Sequence, residues 1–386
     1  MIEELEIKGF RSLREVRWKP GRLNVLIGPN GSGKSNLLQA FELLQKAAEG
    51  KLSEEILSLG GITPLVWDEQ AIPTSWRIKT RHPSEDPFAF EADAFVYEIR
   101  LQRLGKASGY RIETESLSDE NTQFLDRIQE KAAFTDGYDR VRNFLVPEEH
   151  AALFPAATSA SLGSSRVSTF FQSLLGWSFY HDMRVDRDAP LRQAAVARFE
   201  KKVSADGQNL ISVLHTLYTS DRDFKKSLDA AMRAAFGTDY EELIFPPAAD
   251  QRVQLRLRWR SLKTEQSAAN LSDGTLRFLL LVAILANPEP GDLIAIDEPE
   301  TGLHPSMLPI IAELAAEASE RTQVILTTHS PQFLDAFTGE PPTTTVAEWV
   351  DGETKLSVID GEELRRWLQH YSLGAMFRSG ELEGLA

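Results

Sequence analysis

Gly28-Pro29-Asn30-Gly31-Ser32-Gly33-Lys34-Ser35 sits between the apolar run Leu23-Asn24-Val25-Leu26-Ile27 and the stretch Asn36-Leu37-Leu38-Gln39-Ala40-Phe41-Glu42-Leu43-Leu44. The first flank reads as a buried strand and the second as a helix. A glycine, four residues and then Gly-Lys-Ser, placed where a strand ends and a helix begins, is the pattern of a phosphate cradle. Its glycines let backbone N–H groups turn inward toward a polyphosphate. The helix N-terminus adds partial positive charge. In such a cradle Lys34 reaches the β- and γ-phosphates and the Ser35 hydroxyl holds Mg²⁺. An ordinary glycine-rich turn is the plain alternative, and the strand and helix on either side argue against it.

A second constellation lies far along the chain. Leu293-Ile294-Ala295-Ile296-Asp297 is an apolar strand ending in a carboxylate, and Glu298 follows directly. An aspartate at that place can bind Mg²⁺ through water, and the adjacent glutamate can orient or deprotonate an attacking water. Acidic residues also follow strands because turns are polar, so the neighbours matter. Upstream, Leu271-Ser272-Asp273-Gly274-Thr275 opens an apolar helix from Leu276 to Leu285. Downstream, Val324-Ile325-Leu326-Thr327-Thr328 reads as another strand and runs into His329-Ser330-Pro331.

The order of phosphate loop, Leu-Ser-x-Gly signature, Asp-Glu-Pro and Thr-His-Ser resembles the ABC-type ATPases, and within them the RecF/SMC/OLD-like branch of AAA-family ATPases. The opening Ile7-Lys8-Gly9-Phe10-Arg11-Ser12-Leu13 matches the start of that branch. Asp297-Glu298-Pro299-Glu300-Thr301-Gly302-Leu303-His304-Pro305 is its extended Asp-Glu strand and loop, and Asp206-Gly207-Gln208-Asn209-Leu210 resembles the middle of its single-gene members. The likeness covers residues 1–50 and about 200–340 well, and 51–175 poorly.

This resemblance implies an α/β fold, a P-loop ATPase head with a mostly parallel core sheet, an antiparallel side sheet and a helical insert. It implies ATP and Mg²⁺ as ligands. Asn30, Gly31, Gly33, Lys34, Ser35 and Asn36 would surround the phosphates, and Arg11 would approach the nucleotide. Asp297 would belong to the Mg²⁺ shell, Glu298 would be the general base and His329 would sense the γ-phosphate. Ser272 and Gly274 would bind the nucleotide of a second subunit, so ATP would join two copies as a head-to-head homodimer and hydrolysis would release them. The sequence departs from the pattern twice. The signature reads Ser-Asp-Gly-Thr, which brings the charge of Asp273 close to a phosphate contact. No glutamine stands in an unmistakable sensor position, Gln193 and Gln208 being the candidates.

Several residues have duller readings. His329 can be a capping or core histidine, Arg11 a surface arginine and Ser272 a plain N-cap. His304 is expected only to shape the loop after Glu298.

Composition points to a cytoplasmic machine. The 386 residues contain no cysteine, which excludes disulfides and thiolate metal sites. The acidic start Met1-Ile2-Glu3-Glu4 does not read as a secretory signal, so none is expected, and no apolar run reaches the roughly 18 residues of a membrane span. The net charge of −15 is opposite to that of most nucleic-acid coats, though a local basic face can sit on an acidic body. Val253-Gln254-Leu255-Arg256-Leu257-Arg258-Trp259-Arg260 alternates, with Arg256, Arg258 and Arg260 on one strand face. A half-solvated strand with paired charges is the simpler reading of it. Arg184, Arg187 and Arg192 form a looser cluster near Asp182, Asp186 and Asp188.

The expected layout is a first lobe over 1–115 with side-sheet strands over 76–115, a mainly helical insert over 116–245, and a second lobe over 246–386. Within the insert, 116–175 reads as helical and polar, with a small-residue loop at Ala156 to Ser165, and 207–236 as helical. The second lobe is expected to finish with strands near Thr343–Val350 and Leu356–Ile359 and a helix from Glu362. No sustained heptads occur, so coiled-coil arms are not expected. The chain ends 56 residues after Ser330 without carboxylates spaced for two metals, so any nuclease or toxin is expected in another chain. Two functions fit: an ATPase that acts on DNA in repair or phage defence, and a slow nucleotide-switched scaffold that holds a separate effector protein. A transporter subunit fits the long insert and the Asp-Glu-Pro-Glu-Thr-Gly-Leu-His-Pro loop poorly.

Overall fold

The computed structural model describes residues 1–67, 73–82, 93–105, 109–135, 140–146, 148–157, 165–337, 341–359 and 372–380. They form two compact units. The first takes Met1–Trp177 and Thr343–Ile359; the second takes Ser178–Pro342 and the described residues after Ile359.

The first unit begins with a hairpin, β1 (Ile2–Phe10) and β2 (Leu13–Trp18), turning at Arg11 with φ 48°. Leu5 and Ile7 point into the core while Glu4 and Glu6 meet Arg17 across the strands. β3 (Leu23–Ile27) is buried along its whole length, as its unbroken apolar run requires. It leads through the glycine-rich loop into α1 (Lys34–Ala48), which α2 (Leu52–Ser58) follows. Six strands come next: β4 (Thr74–His82), β5 (Asp93–Arg103), β6 (Tyr110–Ser118), β7 (Gln123–Ile128), β8 (Lys131–Thr135) and β9 (Val141–Leu145). With the first hairpin they make an eight-stranded antiparallel sheet, ordered β2-β1-β4-β5-β6-β7-β8-β9. The short α3 (Phe154–Ala157) and α4 (Ser165–Leu175) cover one face, where Phe95 stacks on Phe170 at 5.1 Å and Tyr97 on Phe154 at 4.8 Å.

The side sheet over 76–115 is present, but the helical reading of 116–175 fails from Gln123 to Leu145, where β7 to β9 lie. The physical reason is a buried ion pair that hides the strand pattern. Arg127 points inward beside Glu115, both side chains fully buried, while Ile128 on the outward face is 61% exposed. Glu115 is anchored by the N–H groups of Leu153 and Phe154 and by the Tyr97 hydroxyl, and Arg127 donates to the carbonyls of Gln129, Ala151 and Glu149. Burial holds the Glu115 carboxyl above its ordinary range in spite of these partners. Most of the expected loop from Ala156 to Ser165 lies outside the described residues.

The second unit starts with β10 (Ser178–Tyr180) and continues with α5 (Leu210–Ser220) and α6 (Arg222–Phe236), as expected for 207–236. β11 (Tyr240–Ile244) and β12 (Arg256–Trp259) pair antiparallel. α7 (Asp273–Leu285) is buried on nearly every side from Leu276 onward. β13 (Leu293–Asp297), α8 (Leu308–Ser319), β14 (Gln323–Thr328) and α9 (Pro331–Asp335) follow. β10, β13 and β14 run parallel in that order, with their carboxyl ends at one edge.

The chain then returns to the first unit. β15 (Thr343–Val350) lies parallel to β3, and β16 (Glu353–Val358) turns back antiparallel on β15. These strands therefore complete the first unit rather than the second, a long-range pairing with β3 that local pattern does not announce. The expected helix from Glu362 begins outside the described residues, and α10 (Leu373–Ser379) packs in the second unit, where Gly374 N–H donates to Asp335 at 2.7 Å.

Candidate nucleotide site

In the first unit, the phosphate loop leaves β3 and closes on α1 with Gly33 as N-cap, in the left-handed region at φ 99°. No side chain caps this helix, so its N-terminal dipole faces the loop. A Cβ on Gly33 would run into Thr354 Oγ1 and stand 2.8 Å from Ser12 Oγ. The loop is thus clamped from behind by the β15–β16 hairpin: the Thr354 hydroxyl donates to the carbonyl of Ser32 at 2.8 Å and contacts Ser12 Oγ at 2.7 Å. Asn30, Gly31 and Ser35 are exposed at the loop mouth. Lys34 is buried and its Nζ donates to the carbonyls of Gly28 at 2.7 Å and Pro29 at 3.1 Å.

Arg11 and Asn36 form a linked pair. Arg11 Nη1 is 3.4 Å from Asn36 Oδ1, and Asn36 Nδ2 donates to Ser12 Oγ at 2.7 Å. Arg11 Nε and Ser32 Oγ are buried without a hydrogen-bond partner. Burial alone lowers the Arg11 pKa, and a half-buried cation whose buried Nε has no partner is a fit for an anionic ligand. These observations agree with a polyphosphate cradle.

In the second unit, Asp297 ends β13 opposite Thr327 of β14. The Thr327 hydroxyl donates to Asp297 Oδ1 and accepts the Glu298 N–H at 3.2 Å, while the Thr327 carbonyl takes the same N–H at 3.1 Å. Glu298 adopts φ 48°, a region that a glutamate enters only when its surroundings hold it there. The turn aims its carboxylate at His329, whose Nδ1 is 3.1 Å from Oε1, and Thr301 donates to Oε2 at 3.3 Å. Arg277 of α7 donates to the Glu298 carbonyl at 3.3 Å. Glu300 is largely buried and accepts from the Thr328 hydroxyl; burial raises its pKa. His304 contacts Ser306 and caps a short turn, as expected of a shaping residue.

The signature turn is built with equal care. Ser272 caps α7 by accepting the Thr275 N–H at 3.1 Å. A Cβ on Gly274 would stand 2.8 Å from the carbonyl of Gly302, so the glycine lets the turn approach the loop after Glu298. Asp273 does not stand alone: it meets the buried guanidinium of Arg192. Arg192 also donates to the carbonyls of Leu271 at 2.7 Å, Val185 at 2.7 Å and Asp186 at 2.8 Å.

Sequence reasoning placed Arg192 in a loose cluster and gave Thr327, Thr354 and Arg277 no role at the site. Thr327 was discoverable, because it stands level with Asp297 on the next strand. Of the two glutamine candidates, Gln208 spends its side chain on local backbone, accepting from Leu191 N–H and donating to the carbonyls of Arg184 and Asp206. Gln193 lies exposed at the end of a short turn. Arg256 and Arg258 pair with Glu265 and Glu242 on a part-exposed face, with Arg258 to Glu242 at 2.5 Å and to Glu265 at 2.9 Å.

Among the described residues no group of three or more histidine, cysteine, aspartate or glutamate side chains forms a metal cage.

The model of the family described as "AAA domain, putative AbiEii toxin, Type IV TA system" matches residues 23–335. The chain belongs to this family. As an AAA-family ATPase it is 23% identical over 350 residues to the OLD nuclease of Thermus scotoductus, covering 87% of this chain and 60% of that protein. It therefore spans less than two thirds of that relative. It is 20% identical over 348 residues to the ATP/GTP phosphatase of Helicobacter pylori, covering 87% of each. Among solved structures, it is similar to an SMC head bound to the C-winged helix domain of ScpA, with TM-score 0.56 and 14% identity over 95% of this chain and 99% of that one. An SMC head with an extended coiled coil, bound to the C-terminal domain of ScpA from Pyrococcus furiosus, gives TM-score 0.54 at 13% identity over 95% and 98%. At these identities the likeness shows the ATPase-head fold. Among the described residues no helix is long and apolar enough to cross a membrane.

Proposed function

We propose that this ATPase hydrolyses ATP as the release step of an ATP-joined homodimer that acts on DNA in repair or phage defence. The observation that carries the hydrolytic reading is Glu298, held at φ 48° with its carboxylate 3.1 Å from His329 Nδ1 and directly after Asp297.

Each residue then has a role. Lys34 and the N–H groups around Asn30, Gly31 and Gly33 bind the β- and γ-phosphates, and Asn36 holds Arg11 for the nucleotide. Ser35 and Asp297 would be protein groups for Mg²⁺, which would neutralise charge on the transferring phosphoryl group. Glu298 takes the proton of the attacking water. His329, in contact with Glu298, fixes its orientation and senses the γ-phosphate. Ser272 and Gly274, at the N-terminus of α7, bind the nucleotide of the partner copy. Arg192 supports this last role by neutralising Asp273, which would otherwise repel phosphate.

A second reading has an observation in its favour. Arg256 and Arg258 are met by Glu242 and Glu265, and the net charge is −15. Both argue for a protein partner, with the ATPase as a slow switch holding a separate nuclease or toxin. ATP turnover with and without double-stranded DNA at low salt separates the two. Stimulation by DNA that Glu298→Gln abolishes supports the DNA reading; turnover that is weak and indifferent to DNA supports the switch.

A further inference from the structure

β10 runs parallel to β13 with Tyr180 opposite Ile296, so the next residues, His181 and Asp297, emerge side by side at the carboxyl ends of the two strands. His181 Nδ1 lies 3.7 Å from Asp297 Oδ2. Thr327 donates to the other oxygen, Oδ1, so the carboxylate is turned with Oδ2 toward the imidazole. Both side chains are shielded, with 31% and 19% exposure for His181 and Asp297. A separation of 3.7 Å is too long for a hydrogen bond. It is within the span of two metal–ligand bonds of about 2.1 Å each.

We propose that His181 is a further protein ligand for the nucleotide-bound divalent cation, sharing it with Asp297. The inference rests on the ATPase reading of Asp297 and adds a donor to it. Its chemical consequence follows from the ligand type. An imidazole nitrogen beside carboxylate and phosphate oxygens favours Mn²⁺ over Mg²⁺, because Mg²⁺ is the harder ion and takes oxygen ligands almost exclusively. The cation site of this chain is therefore a mixed nitrogen and oxygen site.

The competing role for His181 is a protonated charge partner of Asp297. The two roles have opposite signs: a charge partner competes with a cation, so its removal tightens metal binding, whereas removal of a ligand weakens it.

The test uses the full chain, Mn²⁺, and the ATP analogue with a methylene bridge between its β- and γ-phosphates, whose phosphate chain carries no nitrogen. Electron paramagnetic resonance counts bound Mn²⁺, and spin-echo modulation detects a ligating nitrogen. The wild type is expected to show nitrogen modulation. His181→Ala is expected to lose it and to bind Mn²⁺ about tenfold more weakly. His181→Gln, which keeps an oxygen donor, is expected to lose the nitrogen signal while retaining more affinity than His181→Ala. Persisting nitrogen modulation in His181→Ala, or unchanged or tighter Mn²⁺ binding, would overturn the proposal. Asp297→Asn and Lys34→Ala are measured alongside. If these two also bind Mn²⁺ and the analogue like wild type, the ATPase reading of the site fails; if only the His181 variants are silent, the fault lies with His181 alone.

Discussion

Replacing Arg192 by methionine tests whether one buried cation organises the signature turn. Its guanidinium has a side-chain exposure of only 5% and donates four bonds of 2.7 to 3.0 Å to three carbonyls, those of Val185, Asp186 and Leu271. Methionine keeps most of the volume and removes every donor. Each carbonyl left without its charged partner costs about 1–1.5 kcal/mol, so the three together cost about 3–5 kcal/mol. The Asp273 contact adds little, because that carboxylate is 66% exposed and an exposed pair contributes at most about 1 kcal/mol. Chemical denaturation of the full chain, followed by tryptophan fluorescence, should place Arg192→Met about 3–5 kcal/mol below wild type and Asp273→Asn within about 1 kcal/mol of it. A loss of under about 1 kcal/mol for Arg192→Met, or an equal loss for Asp273→Asn, would refute the reasoning.

Lys34→Ala should weaken ATP binding by at least about tenfold in isothermal titration, since a charged hydrogen-bonding group contributes about 1.5–3 kcal/mol. Gly33→Ala should leave the fold intact by circular dichroism but remove nucleotide binding, because φ 99° costs a side chain about 1–2 kcal/mol and the Cβ meets Thr354. Glu300 offers a pH test. Burial raises its folded pKa above the unfolded value, so the protonated form is favoured by folding; its contribution is fully present below the unfolded carboxylate range and is lost as pH rises through the folded pKa. The stability of wild type relative to Glu300→Gln should therefore be greatest at acid pH and should fall toward neutrality. Parallel denaturation series at several pH values check this, and a difference that is flat or rises with pH would count against it.

The phosphate loop and the Asp-Glu strand were legible because both are short and local. Gly33 and Lys34 sit where a strand becomes a helix, and Asp297 ends an unbroken apolar run. α7 was equally plain from Leu276 to Leu285. What the sequence concealed is long-range. Thr343–Ile359 pairs with β3 and clamps the loop through Thr354, and nothing near residue 343 says so. β7 to β9 were read as helix because Arg127 and Glu115 occupy inward positions that pattern reading reserves for apolar residues, while Ile128 points out. The basic strand at Arg256 and Arg258 was ambiguous in sequence, since its acidic partners come from other segments. Arg192 was invisible as an organiser because most of its partners are backbone carbonyls, which carry no sequence signal.

The central claim is that Glu298 is the base of an ATPase whose ATP-bound form is a dimer. Single-turnover hydrolysis of ATP by wild type and Glu298→Gln, with sedimentation of each ATP-bound species, tests it most directly. The account predicts that Glu298→Gln binds ATP, hydrolyses it at least about a hundredfold more slowly and sediments as a stable dimer. Hydrolysis by Glu298→Gln at the wild-type rate, or an ATP-bound variant that stays monomeric, would contradict it.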